Sequence, residues 1–170
     1  MSRLETIKTK LDGVLIIKPL TDFEDFRGHY VELYEKPSYQ AAGIDYDFIQ
    51  DDIVVSRRNV LRGIHGSANN AKLVTCLHGA FYLVAVNNIA DSPQFGMWQG
   101  FTLSDRDHEQ VLLPPGFGNA HLVLTDMAIF HYRQTITYDR AGQFTLAWND
   151  PRLGIKWPID RPILSERDGG

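Results

Sequence analysis

Short runs of β-branched and aromatic residues, each ended by turn-forming residues, make up most of this chain. Ten such runs lie at 13–19, 28–34, 47–56, 59–65, 72–79, 80–88, 97–104, 109–116, 119–125 and 128–139. Residues 36–43 have the pattern of a short helix, with Gly43 as its C-terminal stop. Many short strands with few helices favour an all-β sandwich or jelly roll, and we predict a jelly roll or cupin-like β-barrel with one or two short helices. Several runs are apolar on both faces, which favours a sheet that packs inside and also meets another subunit.

Size and charge limit the classes of protein to which the chain can belong. A length of 170 residues is enough to bury a core, so we predict one domain over 1–170. A net charge of −4 without a basic block argues against a nucleic-acid partner. The only cysteine, Cys76, cannot form an intrachain disulfide or a cysteine-rich zinc site. The first residues lack the apolar stretch of a signal peptide and no segment could span a membrane, so we expect a cytoplasmic protein without a membrane partner.

One histidine ends a run that should be buried. In "NVLRGIHGS", residues 59–67, the apolar residues indicate a strand, yet Arg62 and His65 lie among them. Burying a guanidinium or an imidazole is costly unless each group has a partner. A satisfied core histidine beside a surface arginine is the simplest interpretation, and a functional pair is the alternative.

A metal-binding cupin is a specific alternative for a β-barrel that contains six histidines. Such a site needs two imidazoles that point the same way from one strand, and further ligands from across the barrel. His65 is instead followed by Gly66 and Ser67, and Asn119 stands where a later ligand is expected, with His121 two residues beyond. Asparagine is a poor ligand for transition metals, so we expect a barrel without a metal.

Six blocks of the sequence resemble one known family. They are "DFRG", "VLRGIHG", "AKLVTCLHG", "DSPQFGMW", "LLPPGFGNAH" and "WNDPRLGIKWP…PILSERD". In this order and spacing, from Gly13 to Asp168, they resemble the sugar-nucleotide 3,5-epimerases typified by dTDP-4-dehydrorhamnose 3,5-epimerase. The best-known members have an aromatic residue and a glutamine after the histidine of "RGLH", and a histidine in "PPGFAHGF". Gly66, Ser67 and Asn119 depart from that pattern and resemble members that act on GDP-linked 4-keto-heptoses in capsule and lipopolysaccharide synthesis.

This resemblance implies an epimerase for a dTDP- or GDP-linked 4-keto sugar, with no cofactor and no metal. The 4-keto group acidifies the hydrogens on C3 and C5, so a base can remove one of them and leave an enolate. Return of a proton from the opposite face inverts the carbon. The enzyme therefore needs a base, an acid on the other side, and a cation or donor near the enolate oxygen. A non-catalytic jelly-roll protein that binds sugars is the alternative, and it would not need all three together.

The catalytic roles also come from the resemblance. His65 matches the base, and Asp150, in "WNDP", matches the carboxylate that receives the other imidazole N–H. Tyr132 matches the acid, with Tyr138 as a nearby second candidate. Lys72 matches the lysine placed near the 4-keto oxygen. From the residues alone, Asp150 is first a turn residue before a proline.

The resemblance places the binding residues as well. Arg62 matches an arginine near the pyrophosphate, where a planar guanidinium can bind two oxygens. Arg27 is a second phosphate candidate, and we expect it to reach across from the partner subunit of a homodimer. Weaker candidates for substrate contact are Glu32, Gln50, Asn119, His121 and Trp148. The remaining histidines are predicted to be structural: His29, His78, His108 and His131.

Overall fold

The computed structural model describes residues 4–169, which form thirteen strands, one α-helix and one 3₁₀-helix. The strands are β1 (Thr6–Lys8), β2 (Leu15–Ile17), β3 (Thr21–Asp25), β4 (Gly28–Glu32), β5 (Gln50–Arg57), β6 (Leu61–Gly66), β7 (Lys72–His78), β8 (Ala80–Asn87), β9 (Trp98–Ser104), β10 (Gln110–Leu113), β11 (Phe117–Val123), β12 (Met127–Gln134) and β13 (Phe144–Thr145). The helix α1 covers Lys36–Ala41, and the 3₁₀-helix covers Glu166–Asp168. The predicted all-β fold class is confirmed.

The strands are arranged in two large sheets and one hairpin. The six-stranded sheet has the order β1-β2-β10-β7-β12-β5, and the five-stranded sheet has the order β13-β6-β11-β8-β9. The hairpin β3–β4 forms a separate two-stranded sheet. All pairings between these strands are antiparallel.

The two large sheets pack face to face around the main core. Val74 on β7 and Phe130 on β12 pack with Phe81 on β8 and Phe117 on β11. The rings of Phe81 and Phe130 have centroids 5.2 Å apart. Each large apolar side chain that leaves water in this way contributes about 1.5–3 kcal/mol to the free energy of folding. The inward-facing residues of both sheets therefore hold the sandwich together.

The outer face of each large sheet is covered by another part of the same chain. Tyr39 of helix α1 packs with Ile17 and Leu73 on the six-stranded sheet. Trp148 and Trp157, in the segment after β13, pack on the five-stranded sheet. Other segments of the same chain therefore cover much of the apolar surface on the outer faces of these strands. From the sequence pattern we had expected another subunit to cover it.

Helix α1 begins at Lys36, as the sequence predicts, and ends at Ala41, two residues before the predicted stop at Gly43. Glu35 Oε2 accepts a hydrogen bond from Ser38 N at 3.2 Å, and Pro37 lies in the first turn. Gly43 follows with a φ of 84°, a left-handed conformation that ends the helix at little cost for glycine. Within residues 4–169, no helix combines the length and the apolar character needed to cross a membrane.

The predicted and observed strands differ mainly near the ends of runs. The run at 109–116 gives a strand that ends at Leu113, because Pro114 and Pro115 cannot donate to a ladder. The strand predicted over 128–139 ends at Gln134. The strands β1, β3 and β13 were not predicted, because their short sequences TIK, TDFED and FT carry little apolar periodicity.

Candidate active site

A cavity of about 550 Å³ opens between the two large sheets. One wall is formed by β6 and β11 of the five-stranded sheet, and the other by β5, β7 and β12 of the six-stranded sheet. The chain segments 138–143 and 165–168 line the remaining side. Six predicted site residues meet here: Arg62, His65, Lys72, Asn119, His121 and Tyr132.

His65 lies near the end of β6 and is paired with a buried carboxylate. Its Nε2 atom lies 2.7 Å from Oδ1 of Asp168, whose side chain is only 2% exposed. The other oxygen, Oδ2, accepts hydrogen bonds from Ser165 Oγ at 3.0 Å and from the Gly63 N–H at 3.4 Å. Burial lowers the pKa of His65, Asp168 opposes that shift, and Arg167 adds to it. A neutral imidazole held by a carboxylate is suited to accept a proton at its other nitrogen.

Gly63 allows β6 to approach β11 closely at this point. Its φ is 119°, and a Cβ there would overlap the main chain of Asn119 and Ala120. A side chain at this position would therefore push β6 away from β11.

The prediction that Asp150 is the carboxylate partner of His65 is wrong. Asp150 Oδ2 lies 2.7 Å from Nη2 of Arg152, and its Oδ1 accepts from the Arg152 N–H at 2.9 Å. This local turn holds the carboxylate outside the main cavity, where it lines two smaller cavities. The turn interpretation of Asp150 is therefore the one the structure supports, and Asp168 takes the place beside His65.

Lys72 brings a cation into the buried part of the cavity. It is 9% exposed, and its Nζ donates a hydrogen bond to Asn119 Oδ1 at 2.9 Å. Burial, with a smaller contribution from Arg167, lowers the pKa of Lys72 to about 8. The amide of Asn119 satisfies one N–H without neutralising the charge. An ammonium group in such a site is suited to stabilise a negatively charged oxygen.

Tyr132 faces the cavity from β12, on the wall opposite His65. Asp52 of β5 lies directly across the strand pair from it. Burial and Asp52 raise the pKa of Tyr132 to about 12, so the phenol keeps its proton at neutral pH. Lys72 Nζ lies 5.5 Å from the centre of the Tyr132 ring. Tyr138 also lines the cavity but is 50% exposed.

The cavity also holds charged residues that the sequence did not single out. Besides Asp168, these are Arg140, Glu166 and Arg167. Arg167 Nη2 donates to Gln143 Oε1 at 3.0 Å and to Thr145 Oγ1 at 3.2 Å, which fixes its guanidinium beside the site. Asp168 lies in the block "PILSERD", which contributes to the family resemblance. This block was therefore the sequence signal that could have identified Asp168 as a site residue. Three arginines and one lysine against two acids leave the cavity lining electropositive.

Several predicted site residues lie away from this cavity. Arg27 and Glu32 are on the β3–β4 hairpin, where Arg27 forms an ion pair with Asp25. Gln50 Nε2 donates to Asp52 Oδ2 at 2.8 Å. Trp148, a weaker candidate for substrate contact, packs with Trp157 on the outer face of the five-stranded sheet.

Arg62, the predicted phosphate ligand, lines the cavity at its edge. Its Nε donates to Ser56 Oγ at 3.0 Å, and its side chain remains exposed. Arg62 therefore stays available to a ligand from the solvent side. Within residues 4–169, no group of three or more histidine, cysteine or acidic side chains is placed to hold a metal ion.

Comparison with known proteins identifies the family of the chain. Residues 8–170 match the family model described as dTDP-4-dehydrorhamnose 3,5-epimerase. The chain is 38% identical over 170 residues to dTDP-4-dehydrorhamnose 3,5-epimerase of Escherichia coli (strain K12), covering 97% of this chain and 91% of that protein. It is 36% identical to the same enzyme of Methanothermobacter thermautotrophicus, covering 99% of this chain and 93% of that protein.

Solved structures give the same result. The crystal structure of dTDP-6-deoxy-D-glucose-3,5-epimerase from Legionella pneumophila, in complex with dTDP-4-keto-L-rhamnose, matches with a TM-score of 0.92 and 36% identity, over 97% of this chain and 89% of that one. A 3′-monoepimerase from Streptomyces bikiniensis, in complex with dTDP-quinovose, matches with a TM-score of 0.88 and 35% identity, over 94% and 83%.

Fold, site and comparisons together define a sugar epimerase with a jelly-roll, cupin-like fold. The chain belongs to the dTDP-4-dehydrorhamnose 3,5-epimerase family. The predicted jelly-roll fold and the predicted enzyme class, an isomerase of the epimerase type, are confirmed.

Proposed function

We propose that this chain inverts C3, C5 or both in a 4-keto sugar linked to a nucleoside diphosphate, by removing a proton and returning it to the opposite face. One observation carries this proposal: the His65–Asp168 pair faces a cavity that also holds the buried, uncompensated Lys72. The complex of one relative with dTDP-4-keto-L-rhamnose supports a nucleotide-linked 4-keto sugar, and the complex of another with dTDP-quinovose supports a nucleotide-linked sugar.

In the first step His65 removes the proton. The Nε2–H donates to Asp168, so Nδ1 carries the lone pair that takes the hydrogen of C3 or C5. The electrons of the broken C–H bond form a C=C bond, and the π electrons of the 4-keto group move onto its oxygen. Asp168 then stabilises the imidazolium, which forms in a largely buried place.

Lys72 stabilises the enolate oxygen that this step creates. Its ammonium group is already desolvated and hydrogen-bonded to Asn119, so little reorganisation is needed when the negative charge appears. The new charge pair also offsets the free energy that burial of the lysine costs.

Tyr132 returns the proton from the other side. His65 lies on the five-stranded sheet and Tyr132 on the six-stranded sheet, so a sugar between them presents opposite faces to the two groups. The phenol O–H gives its proton to the carbon, the enolate returns to the ketone, and solvent restores both side chains. Tyr138 lies further towards solvent, which makes Tyr132 the stronger candidate for the acid.

The diphosphate binds at the electropositive edge of the cavity. Arg62 is the primary candidate to bind the diphosphate, and Arg140 and Arg167 line the same cavity. Guanidinium groups bind phosphate oxygens in pairs and keep their charge at all relevant pH values. Gly66, Ser67 and Asn119 favour a GDP-linked 4-keto-heptose over a dTDP-linked 4-keto-6-deoxyhexose. A role in capsule or lipopolysaccharide synthesis and a cytoplasmic location stay predictions.

Solvent exchange tests this proposal. The protein is incubated in deuterated water with GDP- and dTDP-linked 4-keto-6-deoxyhexose and 4-keto-heptose, and the products are read by NMR. We expect deuterium at C3, at C5 or at both, together with inversion at the labelled carbon. Tight binding without exchange of any of these sugars would instead support the non-catalytic sugar-binding alternative.

We further propose that the protein is a homodimer in which Arg27 and Glu32 reach the cavity of the partner. Phe26, at the turn of the β3–β4 hairpin, is 97% exposed, and Tyr30 is 62% exposed. The edge strand β5 exposes Ile53 and Val55 as well. Apolar side chains in these places are suited to cover a second copy. Light scattering should give twice the monomer mass, and Phe26→Ser should weaken association, whereas a monomeric wild type would contradict the dimer.

A further inference from the structure

Asn119 is a buried amide that contacts Lys72 and faces the same cavity as His65. It is 8% exposed and lines that cavity. In the antiparallel pair of β11 with β6, it lies directly opposite His65. Side chains opposite each other in such a pair point to the same face of the sheet, with Cβ atoms about 4.5–5.5 Å apart. The amide therefore lies beside both the proposed base and the buried cation.

The contact with Lys72 fixes the orientation of the amide. An ammonium group can only donate hydrogen bonds, so Asn119 Oδ1 is the atom that accepts from Lys72 Nζ, at 2.9 Å. The NH₂ group of the amide is directed away from that contact. Its nitrogen, Nδ2, donates no hydrogen bond within residues 4–169 and is not among the unpartnered side-chain atoms that are sealed from the surface. The N–H donors of Asn119 are thus open to a molecule in the cavity.

Holding Lys72 does not by itself account for an asparagine at this position. A carboxylate would hold the ammonium group more tightly and would offset the cost of burying its charge. The amide accepts the same hydrogen bond, leaves the charge of Lys72 in place and adds N–H donors of its own. A full positive charge next to neutral N–H groups is an arrangement suited to an anionic oxygen.

The proposed chemistry creates an anionic oxygen close to His65. The base removes a hydrogen from C3 or C5, and both carbons are bonded to C4, so the enolate oxygen on C4 forms near the imidazole. Asn119 lies opposite His65, and Lys72 is hydrogen-bonded to Asn119. An oxygen that contacts Lys72 Nζ in this arrangement also lies next to the amide of Asn119.

We propose that Asn119 is a catalytic residue, whose Nδ2 donates a hydrogen bond to the enolate oxygen alongside Lys72 Nζ. The inference rests on the proposed function and adds a second donor to it. The bond to the neutral ketone is weak and strengthens as negative charge develops on the oxygen, so it lowers the barrier to proton removal. The amide keeps its own protons throughout, and the intermediate stays an enolate until Tyr132 returns a proton to carbon.

A double-mutant cycle with Asn119→Ala and Lys72→Met tests the proposal, with kcat and KM for solvent deuterium exchange as the readouts. We expect kcat of Asn119→Ala to fall by about 10²–10³-fold with KM near that of the wild type, because the lost bond is made mainly in the transition state. A direct donor still matters without the ammonium group, so adding Asn119→Ala to Lys72→Met should cost at least about tenfold more. Single-turnover measurements with the enzyme in excess keep the double variant measurable.

Asn119→Asp separates the donor from the group that holds Lys72. The variant keeps the size of the side chain and an acceptor for Lys72, but a carboxylate replaces the N–H donors. We expect exchange to be lost at every pH. If Asn119 served only to hold Lys72, this variant would keep most of its activity and would retain it to higher pH, because a neighbouring carboxylate raises the pKa of a lysine.

Asn87→Ala is the matched control, since Asn87 is also buried but binds Ser92, outside the main cavity. It should leave kcat unchanged, whatever its effect on the melting temperature. The inference would be overturned if Asn119→Ala cost nothing further in the Lys72→Met background, or if Asn119→Asp exchanged at a near-normal rate. A wild type that exchanges no 4-keto sugar would contradict the proposed function itself, whereas an active wild type with an equally active Asn119→Ala contradicts only the role of Asn119.

Discussion

Asp168 Oδ1 lies 2.7 Å from His65 Nε2, although 103 positions separate the two residues in the chain. The contact joins strand β6 to the 3₁₀-helix near the C-terminal end of the described chain. Asp168 is itself held by Ser165 and by the Gly63 N–H, so the carboxylate has a fixed orientation. His65 is thereby kept in one tautomer, and its basicity depends on a segment remote in sequence.

Asp168→Asn keeps the size of this side chain and removes its charge. We expect the exchange rate to fall by about 10²–10⁴-fold, because the imidazolium formed at His65 loses its stabilising partner. Asp168 raises the pKa of His65, so the variant should lower that pKa further. Activity is lost on the acidic side when His65 gains a proton, and this limb of the pH profile should therefore move to lower pH. The pH dependence of the initial exchange rate checks both effects.

Asp150→Asn is the control for that variant. It breaks only the pair with Arg152, outside the cavity, and should leave the exchange rate and its pH profile close to those of the wild type. If Asp150→Asn is the impaired variant and Asp168→Asn is not, the assignment of the carboxylate must be reversed.

Lys72 must be protonated to stabilise the enolate, which predicts a basic limb in the pH profile. Its pKa is lowered to about 8 by burial, so exchange should decline as the pH rises through about 8. Lys72→Arg keeps its charge to much higher pH and should remove this limb, while Lys72→Met should lose about 10²–10³-fold at every pH. A basic limb unchanged in Lys72→Arg would show that another group titrates there.

The same lowered pKa affects the stability of the fold. The unfolded chain holds the Lys72 proton up to its ordinary value of 10.5, whereas the folded chain releases it near 8. Between these values the unfolded state binds more protons, so this group makes the free energy of unfolding rise with pH. Denaturant titrations of wild type and Lys72→Met should show that rise in the wild type and a smaller one in the variant.

Much of the fold follows from the sequence because strand periodicity and turn residues are local. Helix α1 and strands such as β5, β6 and β12 are recognisable from runs of a few residues. The partner of His65 was misassigned because no local pattern joins positions 65 and 168. Asp150 has the commoner role of a residue preceding proline, and Arg152, two positions later, binds its carboxylate.

The same distinction between local sequence and long-range packing applies to the site residues. Arg62, Lys72 and Asn119 could be placed by their sequence blocks, and the fold brings them to one cavity with Tyr132. The pKa of Lys72 depends on burial, and no sequence pattern gives that quantity. An aromatic residue in a strand-rich chain fits a binding wall and an outer core equally well, and in the structure Trp148 packs in the outer core.

Tyr132→Phe separates proton removal from proton return. The phenyl ring keeps the packing and loses the hydroxyl, so the variant should fold. His65 can still remove the proton, which then returns from solvent or from the same face. We expect deuterium exchange with little inverted product, measured by NMR on the recovered sugar. Tyr138→Phe should leave both processes largely intact, and the opposite pattern would make Tyr138 the acid.

Arg62→Lys tests the phosphate contact. The variant keeps the positive charge but loses the planar pair of donors, so affinity for the nucleotide sugar should fall about 10-fold without a change in melting temperature. Calorimetry with the sugar nucleotide and with the free nucleoside diphosphate measures the effect. Unchanged affinity for both ligands would limit Arg62 to its hydrogen bond with Ser56.

The most direct test of the mechanism is solvent deuterium exchange by His65→Asn, compared with the wild type on the same nucleotide-linked 4-keto sugar. The variant removes the proposed base while Arg62 and Lys72 remain to bind the substrate. We predict that it binds with near-normal affinity and that exchange at C3 and at C5 falls by about 10²–10⁴-fold. Near-normal exchange by a folded His65→Asn protein would contradict the role of His65 as the base.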